Sequence, residues 1–218
     1  MRVYHFTNAK YGLEDIKLRR LKVARISELN DPFELMAPSF SEAVSRETWS
    51  DFRKRADGEI GLLCFSKSWR NPVQWSHYAD RHRGICMGFE VPDAKVAAVK
   101  YIAKRIRPNL LKIIFHQDEE SQFFRSTLYS KFSHWRYEQE IRWVKKLTDM
   151  QLIGENYFFP FSEELQLREI IVGTHCPIGR SELDQALNEL KGSVKCRKAR
   201  LAFKTFRVVE QRKASMWS

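Results

Sequence analysis

Residues 136–146 read RYEQEIRWVKK, and apolar and charged side chains alternate along them as on a half-buried strand. In that reading Tyr137, Gln139, Ile141 and Trp143 share one face, and Glu138, Glu140 and Arg142 share the other. The first face packs. The second sets two carboxylates about 7 Å apart with a guanidinium beside them. Two uses fit such a face. One is a solvated surface with a weak ion pair. The other is a pocket wall, where one carboxylate orients a hydroxyl or activates a nucleophile while its neighbours tune its pKa.

Around this stretch the chain alternates irregularly between strands and helices. Strand-like runs are VYHF (3–6), LKVARI (21–26), GLLCFS (61–66), ICMGFEV (85–91), LLKIIF (110–115), LREIIVGTH (167–175) and ARLAFKTFRVV (199–209). Helical patterns fall at 9–18, 41–57, 94–105, 117–134 and 182–190. Asn71-Pro72 supplies an N-cap and a proline at the first helical position, which predicts about three turns through PVQWSHYADRH before Gly84. Several strands in hairpin-like succession argue for an α+β fold in a single domain, 1–218, rather than a doubly wound parallel sheet. Neither GxGxxG nor GxxxxGK[ST] occurs, which removes the Rossmann and P-loop nucleotide sites.

In the helix from Pro72, Trp75, Tyr78, Ala79 and His82 share a side, and His77 lies nearly opposite Trp75. Such a stripe serves as core or as the wall of a binding site. His5, in the first strand, is a lone histidine that its surroundings alone cannot raise above a structural role.

Composition narrows the partners. With 43% hydrophobic and 13% aromatic residues the chain can bury a sizeable core, and its net charge of +11 points to a polyanionic partner or an anionic substrate. Residues 191–218 hold nine Lys or Arg against one acid, Glu210. That segment is a solvated basic edge or a track for a phosphate backbone, interleaved with Phe203, Phe206 and Trp217. Cys64, Cys86, Cys176 and Cys196 lie far apart without metal-ligand spacing, so neither a zinc site nor a disulfide framework is expected. The start MRVYHFTNAK lacks the apolar stretch of a signal peptide, and no run approaches the ~18 apolar residues of a membrane span. A cytoplasmic protein is expected.

Several pieces resemble, in order, a bacterial family of unknown function. They are YHFT (4–7), LNDPFE (29–34), CFS (64–66), NPVQWSHYADRHRGICMGFE (71–90), VKY (99–101), WRYEQEIRW (135–143) and REIIVG (168–173). The set is in turn similar to remote members of the ADP-ribosyltransferase superfamily, although a WSHYAD helix is not its usual middle motif. That resemblance implies a mixed or antiparallel split sheet with flanking helices, NAD as substrate, and no metal. It places His5 on the adenosine ribose and Tyr78 or Trp75 against the nicotinamide side. Thr7, His77 and Arg142 complete the binding set, Glu140 is the catalytic carboxylate, and Glu138 steers the acceptor. It further implies a toxin or phage-defence effector that modifies a macromolecule, RNA or DNA favoured over protein, with a neutralising partner such as an antitoxin. Two other readings stand beside it: a metal-independent nuclease using His5, His77 and the Glu pair, and a non-catalytic nucleic-acid-binding module.

Overall fold

A computed structural model describes residues 1–108 and 117–217. The strand expected at 110–115 lies outside the described residues.

One mixed sheet of 11 strands carries the fold. Its left half runs β13 (Val208–Glu210), β12 (Lys195–Leu201), β11 (Gln166–Val172), β4 (Ile85–Glu90), β1 (Arg2–Thr7). Its right half contains β3 (Ile60–Ser66), β2 (Arg20–Arg25), β10 (Asn156–Pro160) and β9 (Gln151–Ile153). On β3's other edge lie β8 (Glu140–Lys146) and then β5 (Ala97–Ala98). Pairing is antiparallel throughout except for β11 with β12. A separate parallel pair joins β6 (Lys100–Ile102) to β7 (Ser130–Phe132). The architecture is thus α+β with a mixed sheet and flanking helices, as the alternation of elements implies.

The two halves barely meet. β8 covers one edge of β3 from Ile60↔Lys146 to Ser66↔Glu140. On the other edge β2 leaves after Leu62, and β1 joins only at Tyr4↔Ser66. The sheet therefore opens between β1 and β2 along Leu63–Phe65.

Side-chain alternation sorts the core into two faces. Val3 of β1, Leu63 and Phe65 of β3, Ile85, Met87 and Phe89 of β4, and Ile141 and Trp143 of β8 belong to one large cluster. The helices α1 (Ala9–Leu18) and α5 (Arg180–Leu187) close it with Ile16, Leu183 and Leu187. The opposite face has two smaller clusters. Trp75 of α3 (Pro72–Tyr78) packs there with Cys86 and Ile171. Leu62 and Leu35 pack with Ala56 of α2 (Ala43–Glu59) and Leu128 of α4 (Gln117–Leu128). Glu140 and Arg142 point to this second face, between the two clusters.

Several sequence-based expectations are corrected. The helix from Pro72 stops at Tyr78, because Asp80, Arg81 and His82 adopt φ of 42°, 53° and 69°, a conformation that side chains other than glycine adopt at a cost. Backbone bonds from His82 N–H to the Trp75 carbonyl (3.1 Å) and from Gly84 N–H to the Ala79 carbonyl (2.8 Å) hold the reversal. Gly84 is required next, since a Cβ there would lie 2.1 Å from the Thr7 carbonyl oxygen. Residues 94–105 form short extended pieces rather than a helix. The helix expected to run to 134 ends at Leu128, and β7 follows. The single strand expected at 199–209 is two strands, β12 and β13, joined by an exposed turn.

Candidate active site

The strand expected at 136–146 begins only at Glu140; residues Ser133–Glu138 form a 3₁₀ turn and Gln139 sits at φ 47°. That left-handed residue lets Glu138 and Glu140 converge on a single ammonium. Lys131 Nζ donates to Glu138 Oε2 at 2.7 Å and to Glu140 Oε2 at 3.3 Å. All three side chains are buried, so the solvated-face reading of this segment is excluded.

Arg142 is 0% exposed. Its Nε and one terminal nitrogen donate to Glu140 at 2.7 and 3.1 Å. The same terminal nitrogen donates to Glu34 Oε2 at 2.9 Å, while the other bonds Glu34 Oε1 and the Leu128 carbonyl (2.6 Å). All five guanidinium donors therefore have acceptors. A buried charge without such partners would cost several kcal/mol.

Glu138 is gripped from its other side. Tyr78 O–H donates to Oε1, and Asn30 Nδ2 donates to the Tyr78 oxygen at 2.6 Å. The Glu138 carbonyl accepts from Ser66 Oγ (2.7 Å) and Gln74 Nε2 (2.6 Å), which pins the turn to β3 and α3. His5 reaches across the opened edge of β3, its Nδ1 lying 3.1 Å from the Cys64 carbonyl. A carbonyl only accepts, so Nδ1 carries the proton and Nε2 is an acceptor.

These groups line one cavity of about 280 Å³ at the split in the sheet. His5, Tyr78, Glu138, Glu140 and Arg142 all face it, together with Lys131. Three other expected site residues do not. Trp75 is wholly buried, donates its indole N–H to the Trp69 carbonyl (2.6 Å) and meets Phe6 edge-on. His77 is exposed. Thr7 pairs with Ile85 at the far end of β1. Conversely, Lys131, Glu34 and Asn30 carry no role in the sequence reading, although LNDPFE contains two of them. Lys131 has no sequence signal, because it falls inside a stretch read as helix.

The electrostatics are lopsided. Glu34, Glu138 and Glu140 face Lys131 and Arg142, a surplus of one negative charge if all are ionised. Burial pushes the Glu140 carboxyl up, but Arg142 and Lys131 outweigh it and hold it at about 2. Burial also pushes Glu138 up; Lys131 and Tyr78 oppose it without prevailing, so its pKa stays raised. The surplus charge is therefore relieved by a proton on Glu138 or by a cation in the cavity. Burial holds the His5 imidazole below its usual pKa, so the ring is neutral at pH 7. Burial and Glu140 push the Cys64 thiol well up, which leaves it a poor nucleophile. Among the described residues no cluster of three His, Cys, Asp or Glu could hold a metal ion, and no helix is long and apolar enough to cross a membrane.

The stretch that supplies Lys131, Arg142 and the two paired carboxylates also matches a protein family. Residues 74–143 are similar to a family described as Protein of unknown function (DUF2971). The match covers about a third of the chain and includes Tyr78, Lys131, Glu138, Glu140 and Arg142. No curated protein and no solved structure matches the chain.

Proposed function

We propose that the protein is an ADP-ribosyltransferase that cleaves the N-glycosidic bond of NAD and passes ADP-ribose to a macromolecular acceptor. The observation that carries this reading is a cavity shared by His5 and Tyr78 in which three buried carboxylates face two cations, so that a bound cation would balance the third. The substrate side of that bond is a pyridinium cation, and breaking it builds an oxocarbenium-like charge on the ribose. A permanently ionised carboxylate in a dry site favours that charge. Glu140, held at about 2, is ionised at every physiological pH. The C1′–N1 electron pair leaves with the ring as neutral nicotinamide. The bound pyridinium balances the surplus charge and leaves Glu138 ionised; the acceptor's oxygen or nitrogen then bonds to C1′, and its proton passes to Glu138, whose raised pKa suits a proton receiver. Neutral His5 offers Nε2 to a ribose hydroxyl, and the Tyr78 ring supplies an aromatic wall. The open seam between β1 and β2 agrees with the split sheet that the superfamily resemblance implies.

The nuclease reading has less support, since His77 stands exposed outside the cavity that holds His5. The experiment is nicotinamide release from NAD by purified protein, alone and with RNA, DNA or cell extract. Release in at least one mixture is expected, and its absence in all of them contradicts the proposal.

A further inference from the structure

The turn between β12 and β13 is built to be seen from outside. Phe203 and Phe206 are 94% and 99% exposed. The turn is nonetheless ordered by Ala202 N–H to the Arg207 carbonyl (3.0 Å), and it docks on the body through Val208 N–H to the Arg70 carbonyl (2.9 Å). Two bare aromatic rings on a pinned hairpin have no structural purpose that the fold reveals.

Basic side chains surround them. Lys67, Arg70, Arg200, Lys204, Arg207 and Arg212 have no carboxylate within 4.0 Å among the described residues. Arg70 lies over the Trp69 ring (4.6 Å) and Arg200 over Phe203 (5.1 Å), which sets each cation beside an aromatic face. Three depressions of about 450, 350 and 540 Å³ adjoin at Arg70. The first holds Phe203 and the third Phe206. The second is lined by Tyr4 and the third by Gln74, both of which also line the active-site cavity. Glu210 lines the first depression and Glu169 the second, each paired with Arg197, so the cations free of a carboxylate outnumber the acids along this surface, which borders the cavity at Tyr4 and Gln74.

We propose that this surface binds single-stranded nucleic acid, bases stacking on Phe203 and Phe206 and phosphates lying on the six unpaired cations. Exposed rings interleaved with cations along a groove are the recognition mode of unpaired strands, whose bases are free to stack. A duplex keeps its bases inside. A flat lipid surface would meet the two rings but not the concave path beyond them. The proposal gives the transferase its class of acceptor, and it rests on that reading only for the chemistry at the cavity; the binding surface stands on its own geometry.

The test needs no NAD. Fluorescence anisotropy measures binding of mixed-sequence single-stranded RNA and DNA of about twenty nucleotides, beside a duplex and vesicles containing phosphatidylserine. Tight binding of one or both single strands is expected, with log affinity falling against log salt at a slope of about −3.5 to −4 for five or six phosphates. Phe203→Ala and Phe206→Ala, both wholly exposed, should each weaken binding about tenfold, and Arg207→Ala should lower the slope by about 0.7. The RNA and DNA arms name the source. Unchanged affinity in the double Phe variant, preference for duplex, or loss of vesicle binding alone overturns the proposal. Glu140→Gln should bind strands like wild type, so a failed transferase reading leaves this result standing and the converse also holds.

Discussion

Arg142 clasps Glu140, two residues before it on the same strand, through Nε at 2.7 Å and a terminal nitrogen at 3.1 Å, with the guanidinium wholly removed from solvent. The pair fixes the position and ionisation of the carboxylate on which the proposed chemistry rests, and Glu34 fixes the pair from the other side.

Removing Arg142 should therefore cost far more than a surface ion pair. Arg142→Ala leaves two buried carboxylates facing each other, and a loss of about 3–5 kcal/mol in urea unfolding is expected. Arg142→Lys should recover little, because an ammonium lacks the planar fork that meets each of two carboxylates through two bonds and still reaches the Leu128 carbonyl. Recovery of wild-type stability by Lys would show that the fork is not what holds the site.

Glu140 sets an acid limit on stability. Its folded pKa of about 2 lies below the usual 4.5, so its contribution is present above 4.5 and is lost as pH falls toward 2. Unfolding midpoints measured from pH 6 downward should fall steeply in that window, and the fall should be shallower in Glu140→Gln.

Asp15 acts in the opposite sense. It is buried in α1, and burial with Glu14 beside it pushes its pKa from 3.8 up to about 7, against Arg20. Stability tied to its protonated form is present below 3.8 and lost as pH rises through about 7. Asp15→Asn should thus stabilise the protein by more than about 1 kcal/mol at pH 8 and little at pH 4. Equal effects at both values would place the carboxyl in water.

Tyr78 joins α3 to the turn that carries Glu138. Tyr78→Phe keeps the ring but frees Glu138 Oε1 and Asn30. The fold should persist, while NAD turnover drops about tenfold, as for loss of one hydrogen bond to a charged group. Steady-state kinetics beside a circular dichroism spectrum separate the two.

Much of this was legible in the sequence where a local rule governed. The Asn71-Pro72 start of α3 and the continuous apolar runs of β3 and β4 follow from capping and burial, and the structure has them. Glu140 and Arg142 share a face because side chains two apart on a strand must. The chain gave no local sign of the left-handed residues at 80–82 and 139, which depend on contacts made only after folding, His175 N–H to the His82 carbonyl (3.0 Å) and Lys67 N–H to the Gln139 carbonyl (3.1 Å). Lys131 was hidden for the same reason. Its place opposite Glu138 comes from β7 pairing with β6, a long-range event that its neighbours in sequence do not encode. Glu34 and Asn30 sat in the quoted LNDPFE motif, but a turn motif does not say which way its polar side chains face. The face read at 136–146 was placed on a longer strand than exists, yet its acids still meet, because the turn at Gln139 replaces the pleat.

The most direct test compares the steady-state rate of nicotinamide release from NAD in wild type, Glu140→Gln and Glu138→Gln, with folding checked for each. The account predicts that wild type releases nicotinamide, that Glu140→Gln loses at least a hundredfold in kcat as the charge opposing the oxocarbenium disappears, and that Glu138→Gln loses mainly transfer to the acceptor. Equal release by wild type and a folded Glu140→Gln would contradict it.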